Sequence, residues 1–141
     1  MSSLTRATDQ FRGARGLPAV LDAACAAFEQ ILTVIAACEQ ATSTSVTVAL
    51  LFAGTQAANG RDAMLFAPSL PPRPLYAPGS AGEQRPPDAQ DPRAAMAGLA
   101  ELLAARLGGT ATTATGGDRA ACYDAAACAT RIHVLLTRAG P

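Results

Sequence analysis

The strongest pattern in the chain is an apolar stripe at helical spacing between Leu17 and Gln40. Apolar side chains return every three or four residues there, which places them on one face of a helix. Pro18 fits the first turn of such a helix, where its missing N–H has no intrahelical partner to lose. The pattern therefore predicts an amphipathic helix whose apolar face holds Leu17, Val20, Leu21, Ala24, Phe28, Ile31, Leu32 and Ile35.

Two short apolar runs follow, and each has the length of a β-strand. In residues 46–53 the side chains alternate without a properly polar face, which is typical of a strand that is buried on both sides. A polar loop with the turn dipeptide Asn59-Gly60 separates it from a second run, residues 62–67, which Pro68 ends. The pattern predicts two strands around a turn, and an unpaired second strand could accept a strand from another chain.

Composition changes abruptly between Pro68 and Pro92, where eight of the ten prolines lie. Such a stretch cannot maintain a backbone ladder or bury much apolar surface. We predict a long, mobile Pro-rich loop over residues 68–92. The alternative is a polyproline ligand for an SH3-type domain, carried by the segment PPRPLYAP.

The last third of the chain predicts two helices and a third strand. The first helix begins at an Asp91 N-cap and ends at Gly108-Gly109. A shorter helix follows from Asp118, and the segment RIHVLLTR, residues 131–138, has the composition of a strand. The stripe of the first helix comprises Met96, Leu99, Leu102, Leu103 and Leu107.

The order helix, strand, strand, helix, helix, strand indicates an α/β fold. We expect a small three-layer-like sandwich in which flanking helices cover a sheet of about three strands. Residues 1–16 are expected to form a flexible N-terminus, and residues 17–138 a single α/β domain. A sheet this short indicates a domain that is incomplete or that a partner completes.

Charge and composition limit the classes of binding partner and the cellular locations that we expect. The formal net charge is zero, with 11 basic and 11 acidic residues, which argues against direct binding of nucleic acid or an anionic membrane. No apolar run approaches the length of a membrane span, so no membrane association is expected. The N-terminus has no apolar signal region, which favours a cytoplasmic or nuclear location. Its Ser, Thr and Arg content leaves import into an organelle open.

The residue types also limit the chemistry. All 11 basic side chains are Arg, so the lysine of a phosphate-binding Walker motif is excluded. Four cysteines without a C-x-x-C motif, and a single His, do not match a structural zinc site. Asp22, Glu29 and Asp124 are expected as helix-surface residues, and Asp118 as the N-cap of its helix. We therefore expect no metal and no cofactor.

The only His of the chain allows one catalytic hypothesis. His133 would project from one face of the third predicted strand, beside Tyr123 and either Cys122 or Cys128 on the preceding helix. A thiol next to an imidazole is the arrangement that activates a cysteine nucleophile. A small enzyme or ligand-binding domain that uses this sheet face is therefore the alternative to a non-catalytic function.

Short apolar runs and the element order together resemble a von Willebrand factor A-like domain. The resemblance is carried by VTVALLFAG, residues 46–54, by the strand end Leu65, Phe66 and Pro68, and by RIHVLL, residues 131–136. Within that superfamily the chain most resembles the smaller such subunit of transcription factor IIH. The family's first strand with its metal motif, its C-terminal half and its zinc-binding tail have no counterpart here. The resemblance implies a nuclear scaffold for transcription and DNA repair.

We therefore expect a non-catalytic protein–protein interaction subunit of a larger complex. The partner would be another protein subunit, in a hetero-complex or a homodimer. The candidate contact residues lie at the second strand and in the Pro-rich loop: Met64, Leu65, Phe66 and Tyr76.

Overall fold

The computed structural model of this protein describes residues 3–38, 44–73 and 92–138. All its regular elements within these ranges are α-helices, and the ranges contain no strand. The helices are α1 (Ser3–Gly13), α2 (Leu17–Cys38), α3 (Thr44–Leu65), α4 (Pro92–Thr113) and α5 (Gly116–Arg138).

Helices α2 to α5 form a four-helix bundle in the circular order α2, α3, α5, α4. Neighbouring helices run antiparallel. Gly54 lies against Ile35 and Gly60 against Phe28 across α2 and α3. Gln56 contacts Arg131 while Phe66 lies near Asp124 across α3 and α5, and Ala97, early in α4, contacts His133, late in α5. The diagonal pairs α2/α5 and α3/α4 make no close backbone contact within the described ranges. Of the neighbouring helix pairs in the bundle, α2 and α4 contact each other least. Helix α1 packs on both of them and covers this side of the bundle.

The core is built from one apolar stripe of each helix. Alanine takes many of the core positions, and small side chains let helix backbones approach closely. The space between the backbones is filled by a limited set of large side chains. The largest fully buried ones are Phe11, Phe28, Leu21, Ile31, Leu50, Met64, Met96, Leu99, Leu103, Leu107 and Ile132.

The predicted helix from Leu17 is confirmed as α2, which ends at Cys38. Among the described helices, α2 is also the one that is long and apolar enough to cross a membrane by length and composition. Its largest side chains, Phe28 and Ile31, are nevertheless fully buried against the other helices. Core helices of soluble proteins share this composition.

The prediction of an α/β sandwich is wrong, and residues 46–53 show why. Val46, Leu50, Ala53 and Ala57 lie at spacings of four, three and four residues, and all four are buried on the inner face of α3. Alternation of apolar and small residues fits a strand and a half-buried helix equally well over so short a run. Only the length of the continuous element, 22 residues, separates the two.

At the C-terminus, too, a short apolar run was predicted as a strand but is part of a helix. The segment predicted as a short helix plus a strand is one helix, α5, of 23 residues. Ile132 and Leu136 continue the buried stripe of Ala125, Cys128 and Ala129 at helical spacing. Because no sheet exists in the described ranges, the resemblance to von Willebrand factor A-like domains and to the transcription factor IIH subunit is wrong. The transcription and DNA-repair role that it implied has no support.

Two further segments differ from the sequence-based expectation or lie outside the described residues. Residues 3–13, expected as part of a flexible terminus, form α1 and bury Leu4, Ala7 and Phe11. Gly16, with a φ of 85°, makes the turn into α2 in a conformation that residues with a Cβ rarely adopt. Of the expected Pro-rich loop, residues 68–73 are described and residues 74–91 are not.

Candidate interaction site

The outer face of α3 is the most unusual surface of the described protein. It consists of Val48, Leu51, Phe52, Thr55, Asn59 and Asp62, which lie on one side of the helix because each has another member of the set three or four residues away. Phe66 continues it just beyond the helix end. The exposed fractions of Val48, Leu51 and Phe52 are 45%, 54% and 59%, and that of Phe66 is 83%.

Helix α3 carries no charged residue from Thr44 to Gly60. A surface helix ordinarily pairs an apolar inner face with a charged outer face. Here the inner face buries Leu50 and Ala53 while the outer face exposes Leu51 and Phe52. A helix that is apolar on all sides is typical of an element covered by protein on all sides.

A groove between α3 and α5 borders the C-terminal half of this face. Its volume is about 380 Å³, and Phe66 and Ala63 form its apolar part. Charged groups line it from α5, where Asp124 and Arg131 lie one either side of the buried Cys128. The apolar face therefore has a polar border on this side, as protein interfaces commonly do.

The four predicted contact residues have different positions. Met64 is fully buried in the core, whereas Leu65 and Phe66 are exposed. Tyr76 lies outside the described residues. Val48, Leu51 and Phe52 were not predicted as surface residues, because the apolar pattern placed them in a strand buried on both sides. The absence of charge over Thr44 to Gly60 was the signal that could have pointed to them.

The structure does not bring together the residues of the catalytic hypothesis. Cys122 is fully buried near the start of α5, and Tyr123 beside it is exposed. His133 lies three turns further along the same helix, about 16 Å from Cys122 along the axis. The Nδ1 of its ring lies 3.1 Å from the carbonyl oxygen of Ala97 in α4, to which it donates a hydrogen bond.

The four cysteines are buried as free thiols. Burial raises the pKa of Cys25 to about 12, with the Glu29 carboxylate adding to the effect and Arg73 opposing it. Burial likewise raises the pKa of Cys122 and of Cys128 above the ordinary thiol value. No group of three or more His, Cys, Asp or Glu side chains in the described ranges could hold a metal ion.

The raised thiol pKa values predict slow reaction with thiol reagents and a loss of stability in alkali. The native state holds its thiol protons more tightly than the unfolded chain. Its stabilisation is therefore complete below the ordinary thiol pKa of 9.0 and is lost as the pH rises towards about 12. We expect urea midpoints to fall between pH 9 and pH 11, and a disulfide reagent to label the native protein slowly at pH 8. The Cys25→Ser variant should show a smaller alkaline fall, and fast labelling of the native protein at all four positions would contradict the prediction.

A strap, residues 66–73, crosses the end of the bundle and joins two of its helices. The backbone N–H and the hydroxyl of Ser69 donate to the two carboxylate oxygens of Asp118 in α5, at 2.9 and 2.6 Å. At the other end, the Arg73 guanidinium donates to Asp22 and Glu29 of α2, at 2.6 and 2.5 Å. These acidic residues, expected as plain helix-surface groups, hold the strap in place.

The chain matches no family model, no curated protein and no solved structure. Its class therefore rests on its own geometry: the described residues form five helices, and the four-helix bundle among them presents the outer face of α3, which is apolar and uncharged in its N-terminal half. Within the described ranges, the cysteines are buried and His133 lies far from Cys122. The exposed apolar part of the α3 face is therefore the best candidate for a functional surface.

Proposed function

We propose that this protein is a non-catalytic interaction subunit that binds another protein chain through the outer face of α3. The observation that carries the proposal is the half-exposed cluster of Val48, Leu51 and Phe52 on the part of α3, Thr44 to Gly60, that carries no charge. Large apolar side chains in one patch are typical of protein contacts, whereas single ones scattered over a surface are not.

The energetics support a real but limited contact. Covering the exposed parts of Val48, Leu51, Phe52 and Phe66 would contribute about 1 kcal/mol for each side chain. Association itself costs at least about 4 kcal/mol in lost translation and rotation. The apolar cluster therefore needs the surrounding small and polar residues, Thr55 and Asn59 among them, to add packing and hydrogen bonds.

The alternative of an enzyme or ligand-binding domain around His133 and Cys122 has no supporting observation. The sheet face on which it depended is a continuous helix, and the two side chains lie about three turns apart on it. The His133 ring already donates a hydrogen bond to the Ala97 carbonyl of a neighbouring helix.

The test compares Phe52→Glu with a matched control on the far side of the bundle. Phe52→Glu places a carboxylate at the centre of the apolar cluster, while Ala105→Glu adds the same charge to an exposed position of α4. Each variant and the unchanged chain would be purified with a tag from the source cell, alongside a second copy that carries a different tag. We expect a protein recovered in a fixed ratio with the unchanged chain and with Ala105→Glu, and lost from Phe52→Glu. Equal recovery by all three would refute the proposal.

A further inference from the structure

We infer that the occupant of the outer face of α3 is a second copy of this chain, with the two α3 helices packed against each other about a two-fold axis. The inference rests on the proposed function and deepens it by naming the partner. Three properties of the face support it: its charge, the position of its apolar cluster and its size.

The charge pattern fits self-association. In a two-fold interface the same surface meets itself, so any charge at its centre would be brought close to its own copy. The face has no charge from Thr44 to Gly60, and the whole chain has a formal net charge of zero. Like charges on α3 therefore do not oppose a contact centred on the apolar cluster, and net charge does not oppose the approach of two copies. A different partner is ordinarily selected and oriented by complementary charges, and this face carries none over that length.

The apolar cluster is arranged as the centre of such an interface. Val48, Leu51 and Phe52 occupy little more than one helical turn, and a two-fold axis at that turn places the cluster against its own copy. Residues that dominate binding energy tend to contact the dominant residues of the partner. The polar residues Asn59 and Asp62 then fall towards the rim, where water remains.

The size of the face sets the strength of the contact. An axis at that turn brings residues 44–58 of the two helices against each other, a length of about 21 Å at 1.5 Å per residue. Because α5 packs about 10 Å to one side, each copy offers a strip roughly 20 Å wide, on the order of 400 Å². Two copies would bury about 800 Å², which is the size of a weak, transient interface. We therefore expect a dimer with a dissociation constant in the micromolar range.

The first experiment is sedimentation equilibrium of the purified full chain between about 1 and 200 µM, a range that brackets a micromolar dissociation constant. We expect a monomer–dimer equilibrium for the unchanged chain and for Ala105→Glu. Phe52→Glu should raise the dissociation constant at least about 30-fold, as loss of a dominant interface residue does. Circular dichroism of each variant shows whether the helices are retained.

A second experiment places the contact on α3 without disturbing the apolar cluster. Thr55→Cys introduces one accessible thiol next to the proposed axis, and the four native cysteines are buried, so background reaction is low. A short bis-maleimide should link two copies of Thr55→Cys, and link copies of Ala105→Cys on α4 far less. Equal cross-linking of the two variants would overturn the placement.

The outcomes separate this inference from the proposed function. A folded chain that stays monomeric throughout the concentration range overturns the second copy as partner. If Phe52→Glu then still loses a different protein that the unchanged chain retains, the interaction function stands and only the partner changes. If the chain is monomeric and recovers no protein through this face, both proposals fail.

Discussion

Gly60→Ala is expected to lower the free energy of unfolding by about 1–2 kcal/mol, although alanine is the better helix former. A Cβ at Gly60 would lie 2.6 Å from Cζ and 2.8 Å from Cδ1 of Phe28, and closer still to Cε1. The Phe28 ring is fully buried between the helices and cannot turn away without disturbing the core. Such overpacking costs typically 1–3 kcal/mol or somewhat more, and exceeds the gain of about 1 kcal/mol from helix propensity.

The matched control is Gly109→Ala in α4. Gly109 is exposed, and an added Cβ there meets no atom within 4 Å. The same substitution should therefore raise the free energy of unfolding by about 0.5–1 kcal/mol through helix propensity alone. Urea unfolding followed by circular dichroism measures both. Stabilisation by both substitutions would show that Phe28 does not pack on Gly60.

A second substitution tests the contact itself. Phe28→Leu makes the ring smaller and should cost stability in the unchanged chain, because it leaves space in the core. Combined with Gly60→Ala it should cost less than the sum of the two single changes, because the added methyl group then has room. Additive costs would mean that the two positions are not in contact.

Arg106→Leu is expected to lower the free energy of unfolding by about 2–3 kcal/mol and to loosen α1. The Arg106 guanidinium of α4 donates to the carbonyl oxygens of Phe11, in the last turn of α1, and of Ala14, just past its end. Carbonyls there lack the usual helical partner four residues on. The Phe11 carbonyl also accepts from the Ala14 N–H, and the Ala14 carbonyl from the exposed Arg15. It also lies over the Phe11 ring, 5.2 Å from the ring centroid. Hydrogen bonds to a charged group contribute about 1.5–3 kcal/mol, and a partly buried cation over a ring adds on the order of 1 kcal/mol.

Two control variants distinguish the effect of the paired N–H donors of Arg106 from the effect of its positive charge. Arg106→Lys keeps the charge but has no planar pair of donors, so an intermediate loss is expected. Arg12→Leu removes an exposed arginine whose nearest carboxylate oxygen, on Asp9, is 3.8 Å away, and should change stability by less than about 0.5 kcal/mol. Hydrogen exchange should rise first in α1 of Arg106→Leu. Exchange that rises equally in all helices would place the role of Arg106 in the core rather than at α1.

The two long amphipathic segments of the chain were predictable because a long apolar stripe at helical spacing fits a helix and not a strand. The stripe that includes Val20, Phe28 and Ile31 repeats over six turns, too long for a strand, and became α2. Met96, Leu99 and Leu103 behave in the same way in α4. That helix nevertheless continues through Gly108 and Gly109, which were expected to end it, and stops at Thr113.

The class of the fold was not predictable from the same kind of evidence. Residues 46–53 and 131–136 are short apolar runs with β-branched residues, and both satisfy a strand period and a helix period. Leu50 and Ile132 are buried against other helices only when these segments are helical, and this packing stabilises the helix. The packing exists only in the assembled bundle. Asn59-Gly60 is a turn signal in isolation, yet it stays helical where Phe28 packs on Gly60.

The sequence by itself determined the zero net charge, the lack of charge along residues 44–60, the absence of lysine and the positions of α2 and α4. Each of these is a property of composition or of a long repeating pattern, and needs no partner to be recognised. Only the tertiary structure decided which side of α3 faces the core, and therefore that Leu51 and Phe52 are exposed. It also decided that His133 and Cys122 stay apart. The physical reason is that burial depends on contacts between residues distant in the chain, which local periodicity does not contain.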